Sequence, residues 1–203
     1  MTDISLYQTI PVDVPESPPA RPRLLLIATS LVAAAVIVGY VGLASYYAQV
    51  RQGVLSTGQP WLPSGVTIPL TQPNFMLLTM AFSAVAMAWA LSAVRHDDRP
   101  NAFIAFALTL MFGFAQIAQT AYLLTLMKMP AAGNPAAALI YTMVGVQLAT
   151  MAMAMGYVVA MALRTLGGGY SARDYEGVLS ATVFWFTNVG VYIILWYAVY
   201  ITK

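Results

Sequence analysis

The chain has 203 residues, 60% of them hydrophobic and 8% charged, with a net charge of +2. A soluble domain carries roughly 25% charged residues, so a water-dispersed globule is excluded, and no basic block points to nucleic acid. Cysteine is absent, which removes disulfides, thiolate metal sites, iron–sulfur clusters and cysteine nucleophiles together.

Residues 1–23 form a polar, proline-rich tail with Pro11, Pro15, Pro18, Pro19 and Pro22 among Asp3, Asp13 and Glu16. A signal peptide would start basic and turn apolar within a few residues, so this segment reads instead as a tail. Its prolines predict an extended path, either a free tail or an arm that docks on a partner subunit.

Five apolar stretches follow, at Leu24–Val50, Asn74–Val94, Asn101–Met127, Ala136–Leu163 and Val178–Thr202. None contains Asp, Glu, Lys, Arg or His. A helix needs about 20 apolar residues to cross a bilayer core, and each stretch reaches that length. The expected fold is all-α, a polytopic bundle of five transmembrane helices over residues 24–203. With no titratable group at membrane depth, the helices are poorly equipped to relay protons or ligate haem.

The expected loops are Arg51–Pro73, Arg95–Pro100, Lys128–Pro135 and Arg164–Gly177. The tail, the second loop and the fourth fall on one side of the membrane and hold Arg21, Arg23, Arg95, Arg99, Arg164 and Arg173. Arg51, Lys128 and Lys203 fall on the other. The positive-inside rule then places the N-terminus in the cytoplasm and the C-terminus outside. His96, between Arg95 and Asp97, reads as a solvated loop residue, since no second His or Cys exists to complete a metal site.

Small residues mark places where helix backbones can approach closely in lipid. The second helix carries Ala81, Ser83, Ala84, Ala86, Ala88, Ala90 and Ala93. In the fourth, Gly145, Ala149, Ala152 and Gly156 fall at helical spacing and predict a helix–helix seam. The fifth is crowded with Phe184, Trp185, Phe186, Tyr192, Trp196, Tyr197 and Tyr200. Those near Lys203 suit an interfacial belt, and those around Phe184 to Tyr192 are expected to pack against another protein.

Gln116, Gln119, Gln147, Thr150 and Asn188 lie within otherwise apolar helices. Amides in hydrocarbon are costly unless hydrogen-bonded. Gln116 and Gln119 are three apart and share a helix face. Interhelical hydrogen bonding is the plain expectation for all five. A lipid headgroup, a quinone or a transported ligand is the sharper one. No acid–base pair or activated nucleophile can be assembled from these residues, so no catalytic residue is assigned.

With these landmarks in place the chain resembles subunit III of the haem–copper oxidases, in its five-helix bacterial form. Helix count and orientation agree. Gly42-Leu43, Tyr47 and Arg51 resemble the end of that family's first helix, and Pro73-Asn74 its Leu-Asn-Thr segment. Gln116 to Tyr122 is similar to a Gln-x-x-Glu-Tyr stretch. Gly145-Val146-Gln147-Leu148-Ala149-Thr150 stands where the family has Gly-Phe-His-x-x-His. Phe184-Trp185-Phe186 through Tyr200 resembles the Tyr-Trp-His-Phe-Val-Asp-x-x-Trp helix, with Trp185 retained. The family's ionisable landmarks are replaced by neutral ones at Val36, Gln119, Gln147, Thr150, Phe186 and Val189.

The resemblance implies a non-catalytic subunit of a respiratory oxidoreductase, a cytochrome c or quinol oxidase, in a bacterial inner membrane. It implies no cofactor in this chain, haem and copper in the partner subunits, and packing on the catalytic subunit I. It also implies bound phospholipid, held here by neutral groups and rings such as Gln116, Gln119, Gln147, Thr150, Asn188 and Trp185. A relative serving another membrane enzyme, such as a nitric oxide reductase accessory subunit, fits the same pattern. A small membrane carrier or receptor with a polar path along Gln116, Gln119, Gln147 and Asn188 is the reading from a different class. Carriers usually show internal repeats, and five helices do not divide evenly.

Overall fold

The computed structural model describes residues 23–129 and 134–202. The expected tail at 1–23 lies outside the described residues except for Arg23, as does Lys203 at the other end. Five helices follow one another: α1 (Leu24–Ser56), α2 (Thr71–Arg95), α3 (Arg99–Met127), α4 (Pro135–Leu166) and α5 (Glu176–Leu195), the last running into a π-helical turn at Trp196–Ile201. The described residues hold no strand, only an isolated bridge between Ser171 and Asp174. All five helices are long and apolar enough to cross a membrane. The chain is an all-α protein of multi-pass membrane type.

The helices outrun the apolar stretches for identifiable reasons. α1 has 33 residues, about 50 Å at 1.5 Å per residue, against about 30 Å of hydrocarbon. Its polar end, Arg51 to Ser56, therefore stands at the interface, and no proline interrupts it before Pro60. α2 opens at Thr71 with Pro73 in its first turn, where the missing N–H costs nothing. Pro100 and Pro135 stand in the first turns of α3 and α4, and the Asp98 and Asn134 side chains cap those helices, accepting from the N–H groups of Asn101 and Ala136. Such caps answer donors that a helix start leaves unpaired.

α5 is the hub. It packs on α1, α2 and α4, while α3 lies against α2 and α4. α1 is the most peripheral, with Leu31, Val38 and much of its length facing outward. The Arg-rich end is joined by short polar ties. The Glu176 carboxylate accepts from the Leu26 N–H at 3.0 Å, Asp97 accepts from the Ala172 N–H at 2.7 Å, and the Arg95 guanidinium lies 4.7 Å from the Tyr175 ring. The first places a negative charge at the N-terminus of α1, where the helix dipole favours it.

Two packing expectations are corrected. Gly145, Ala149, Ala152 and Gly156 all face outward, and a Cβ at Gly145 or Gly156 would meet nothing within 4 Å. None of the five described helices covers that stripe. Lipid and protein core are equally apolar, so small size alone does not reveal which way a face points. The buried small residues are instead Ser83, Ala86, Ala90 and Ala93 on α2, and Gly113 on α3. A Cβ at Gly113 would stand 3.0 Å from Met155 Sδ and 3.1 Å from the Trp185 ring, so α3, α4 and α5 meet there. The aromatics of α5 are the second correction. Phe184, Trp185 and Tyr192 are buried in the chain's own bundle, and only Phe186 of that group faces outward. Tyr197 is exposed as a belt residue should be, but Tyr200 is fully buried.

Gly113→Leu should therefore destabilise the bundle by about 1–3 kcal/mol or more, the scale of overpacking a filled core. Gly156→Leu should stay within about 0.5 kcal/mol, as an outward position does. Thermal unfolding of both variants in the same detergent tests the contrast, and equal losses would mean that the α4 stripe is packed after all.

Candidate functional site

The polar groups inside the bundle sort into ties and unpaired groups. Trp185 on α5 donates from Nε1 to Ser83 Oγ on α2 at 3.1 Å, with both side chains fully buried. Tyr192 donates to the Pro73 carbonyl at 2.9 Å and Trp196, in the π-helical turn, to Asn74 Oδ1 at 2.9 Å, so α5 and its π-helical extension bond α2 at two levels, Ser83 and Pro73-Asn74. Gln119 on α3 exchanges hydrogen bonds with Thr79 on α2 at 3.2–3.3 Å. Tyr40 on α1 donates to the Met143 carbonyl of α4 at 3.1 Å. These are interhelical bonds of the kind lipid rewards modestly, about 0.6 kcal/mol on average.

The remaining predicted groups behave differently. Thr150 donates to the Gln147 carbonyl and Asn188 Nδ2 to the Phe184 carbonyl, each within its own helix. The amides of Gln116 and Gln147 are buried, and neither their nitrogens nor their oxygens have a hydrogen-bond partner among the described residues. Of the six residues singled out by sequence, then, Gln119 and Trp185 cross-link helices. Thr150 and Asn188 fold back, and Gln116 and Gln147 stay unpaired. His96 is exposed at the end of α2, its Nδ1 2.7 Å from the Ser92 carbonyl.

One concavity was not anticipated. A groove of about 490 Å³ runs between the C-terminal halves of α1 and α5. Val41, Ala44 and Ala48 form one wall, Ile193, Ile194 and Ala198 the other, and Arg51 and Thr202 stand at its end. Loop one braces it from behind. Trp61 donates to the Tyr47 hydroxyl at 2.9 Å, and the two rings meet edge to face at 5.4 Å. Arg51 Nε is buried there with no hydrogen-bond partner among the described residues. An apolar trough ending in one guanidinium has the shape and charge of a site for an anionic amphiphile. The chain of such a molecule would replace lipid contacts, and its phosphate would pair with the planar donor fork of arginine.

Sequence reasoning gave Arg51 no binding role because it reads as an ordinary interfacial cation at the end of an apolar run. It also gave no hydrogen-bonding role to Tyr40, Tyr47, Tyr192 and Tyr200. Their signal was present in the spacings from 40 to 47 and from 192 to 200, two helical turns apiece, which put each pair on one face.

The chain matches no protein-family model, and no curated protein matches it.

Arg51→Gln should lower the anionic phospholipid retained per chain after detergent purification, measured by lipid mass spectrometry, while neutral lipid stays unchanged. Equal retention of anionic lipid by both forms would remove the groove as a headgroup site.

Proposed function

We propose that this chain is a non-catalytic, subunit III-like component of a haem–copper respiratory oxidase in a bacterial inner membrane. In this reading it packs on the catalytic subunit and holds lipid at the contact. The observation that carries it is the outward stripe Gly145, Ala149, Ala152 and Gly156 on α4, which no helix among the described residues covers. Close-approach faces in membranes are made of such residues, and a face left bare by its own chain suits a helix from another subunit. The resemblance in Trp185 and in the order of the five helices supports the identity of that partner. The groove beneath Arg51 supports the lipid role. Haem and copper belong to the partner subunits in this reading. The same features suit an accessory subunit of a related membrane enzyme such as a nitric oxide reductase.

One observation favours a small carrier or receptor instead, namely the unpaired amides of Gln116 and Gln147. Both are sealed from the surface, at 1% and 3% exposure, and an open ligand path would leave them accessible.

Affinity purification of the full chain from its native membrane should bring down a haem-bearing subunit at one-to-one ratio. Gly156→Leu should reduce that yield severalfold while the chain itself melts normally. The partner's first turnovers should persist when this chain is removed, and its working life should shorten. A chain that purifies alone, or a partner whose first turnover is lost with an intact haem site, would overturn the proposal.

The proposal has the N-terminus in the cytoplasm, which the gathering of Arg23, Arg95, Arg99, Arg164 and Arg173 at one end of the bundle supports. A reporter active only in the cytoplasm should work when fused at the N-terminus. Activity of the same reporter at the C-terminus, and not at the N-terminus, would invert the topology.

A further inference from the structure

Six buried side-chain atoms in the middle of the bundle have no hydrogen-bond partner among the described residues. They are Nε2 and Oε1 of Gln116, Nε2 and Oε1 of Gln147, Oδ1 of Asn188 and the hydroxyl of Tyr200. Their residues are at most 3% exposed. Buried polar groups are paired with protein or with ordered water in nearly all native structures, so six such atoms in one bundle call for an explanation.

Two of these side chains, Gln116 and Tyr200, have the Tyr192 hydroxyl as a common neighbour. Tyr200 lies within electrostatic reach of the Tyr40 and Tyr192 hydroxyls, and Gln116 lies beside Tyr192. Helix geometry agrees. Tyr40 on α1, Gln116 on α3 and Tyr192 on α5 each stand about 24–26 Å along their helices from the Arg-rich end, at 1.5 Å per residue. Gln147 follows Met143, the acceptor of the Tyr40 hydroxyl, by one turn of α4. Asn188 precedes Tyr192 by one turn of α5.

The donor and acceptor balance defines what fits. Tyr40 and Tyr192 have committed their protons to the Met143 and Pro73 carbonyls, so their oxygens offer only lone pairs to the cluster. Tyr200 offers a proton, and Gln116 offers two N–H donors and an acceptor oxygen. A molecule at this point must both donate and accept, in several directions. A direct pair between the Gln116 and Gln147 amides would still leave the Tyr200 hydroxyl unanswered. Room is short. At Gly113, one turn before Gln116, an added Cβ would stand about 3 Å from Met155 and Trp185. Water is the ligand of that size and valence, and buried waters typically make about three hydrogen bonds to groups of this kind.

We propose that the bundle encloses an ordered water site, held by Gln116 and Tyr200 with the oxygens of Tyr40 and Tyr192 as further acceptors, and extended one turn along α4 to Gln147. The inference stands on the geometry of the interior and is independent of the partner assigned above.

Radiolytic hydroxyl labelling of the full chain in detergent or nanodiscs tests it, because radicals formed from a bound water mark the side chains beside it even where bulk solvent cannot reach. Tyr192 and Tyr200 should label severalfold faster than Trp185, a fully buried aromatic whose Nε1 bonds Ser83. Met143 should label faster than Met80, which is equally buried. In Gln116→Leu the labelling of Tyr192 and Tyr200 should fall to the Trp185 level. If that variant does not fold, Tyr200→Phe keeps the ring and should lower the labelling of Tyr192 and Met143. Rates at Tyr192 and Tyr200 no higher than at Trp185 in the unmodified chain would overturn the site. Labelling unchanged in both folded variants would overturn it as well.

Discussion

The hydrogen bond from the Trp185 indole to Ser83 fixes α5 against α2 at the centre of the molecule, and the rest of the bundle is arranged around that contact. Lipid gives helices no hydrophobic reason to associate. What holds them is close packing and the few polar bonds that hydrocarbon cannot replace. A buried indole N–H without an acceptor would cost about 1–3 kcal/mol, so Ser83 is required wherever Trp185 sits inside. The same ring closes over Gly113, which brings α3 into the assembly. One side chain therefore sets α5 against α2 through its nitrogen and against α3 through its edge. Tyr192 and Trp196 repeat the tie to α2 further along, at Pro73 and Asn74.

The five spans were legible because charge is excluded from hydrocarbon, and the placement of every Lys, Arg, Asp and Glu outside the apolar runs marks where each span begins and ends. The inward direction of each helix was not legible. In a soluble protein the polar face reports solvent, but here lipid and core select the same side chains. Gly145 and Gly156 face outward and Gly113 faces in, and nothing in their spacing distinguishes them. The polar residues carried more information. Gln116, Gln147 and Asn188 all turned out to be buried, since an amide avoids the lipid face even when its partner cannot be named. Helix ends were underestimated for a related reason. Arg51 and Arg164 end an apolar run without ending a helix, since α1 runs on to Ser56 and α4 to Leu166.

Arg51 shows how a residue of ordinary type becomes distinctive through position. Arginine at the end of a membrane helix normally snorkels into water. Here its Nε is covered by the groove between α1 and α5, so part of the guanidinium has left water without meeting an internal partner. The neighbouring Tyr47 hydroxyl accepts from the Trp61 indole. Arg51 stands at the end of an apolar trough, the geometry from which a lipid role is proposed.

Interior and exterior then divide the work. Inside, Trp185, Tyr192 and Tyr40 bind one helix to the next, and the membrane-depth side chains are neutral. That interior is suited to holding a shape. Outside, the α4 stripe and the Arg51 groove lie on different helices, so a protein neighbour and a lipid can be engaged at once without competing for one face. For a subunit of the proposed kind that separation matters. Adding bulk to the stripe would remove the protein contact and leave the lipid in place. Neutralising Arg51 would do the reverse, and the bundle held by Trp185 would stand in both cases.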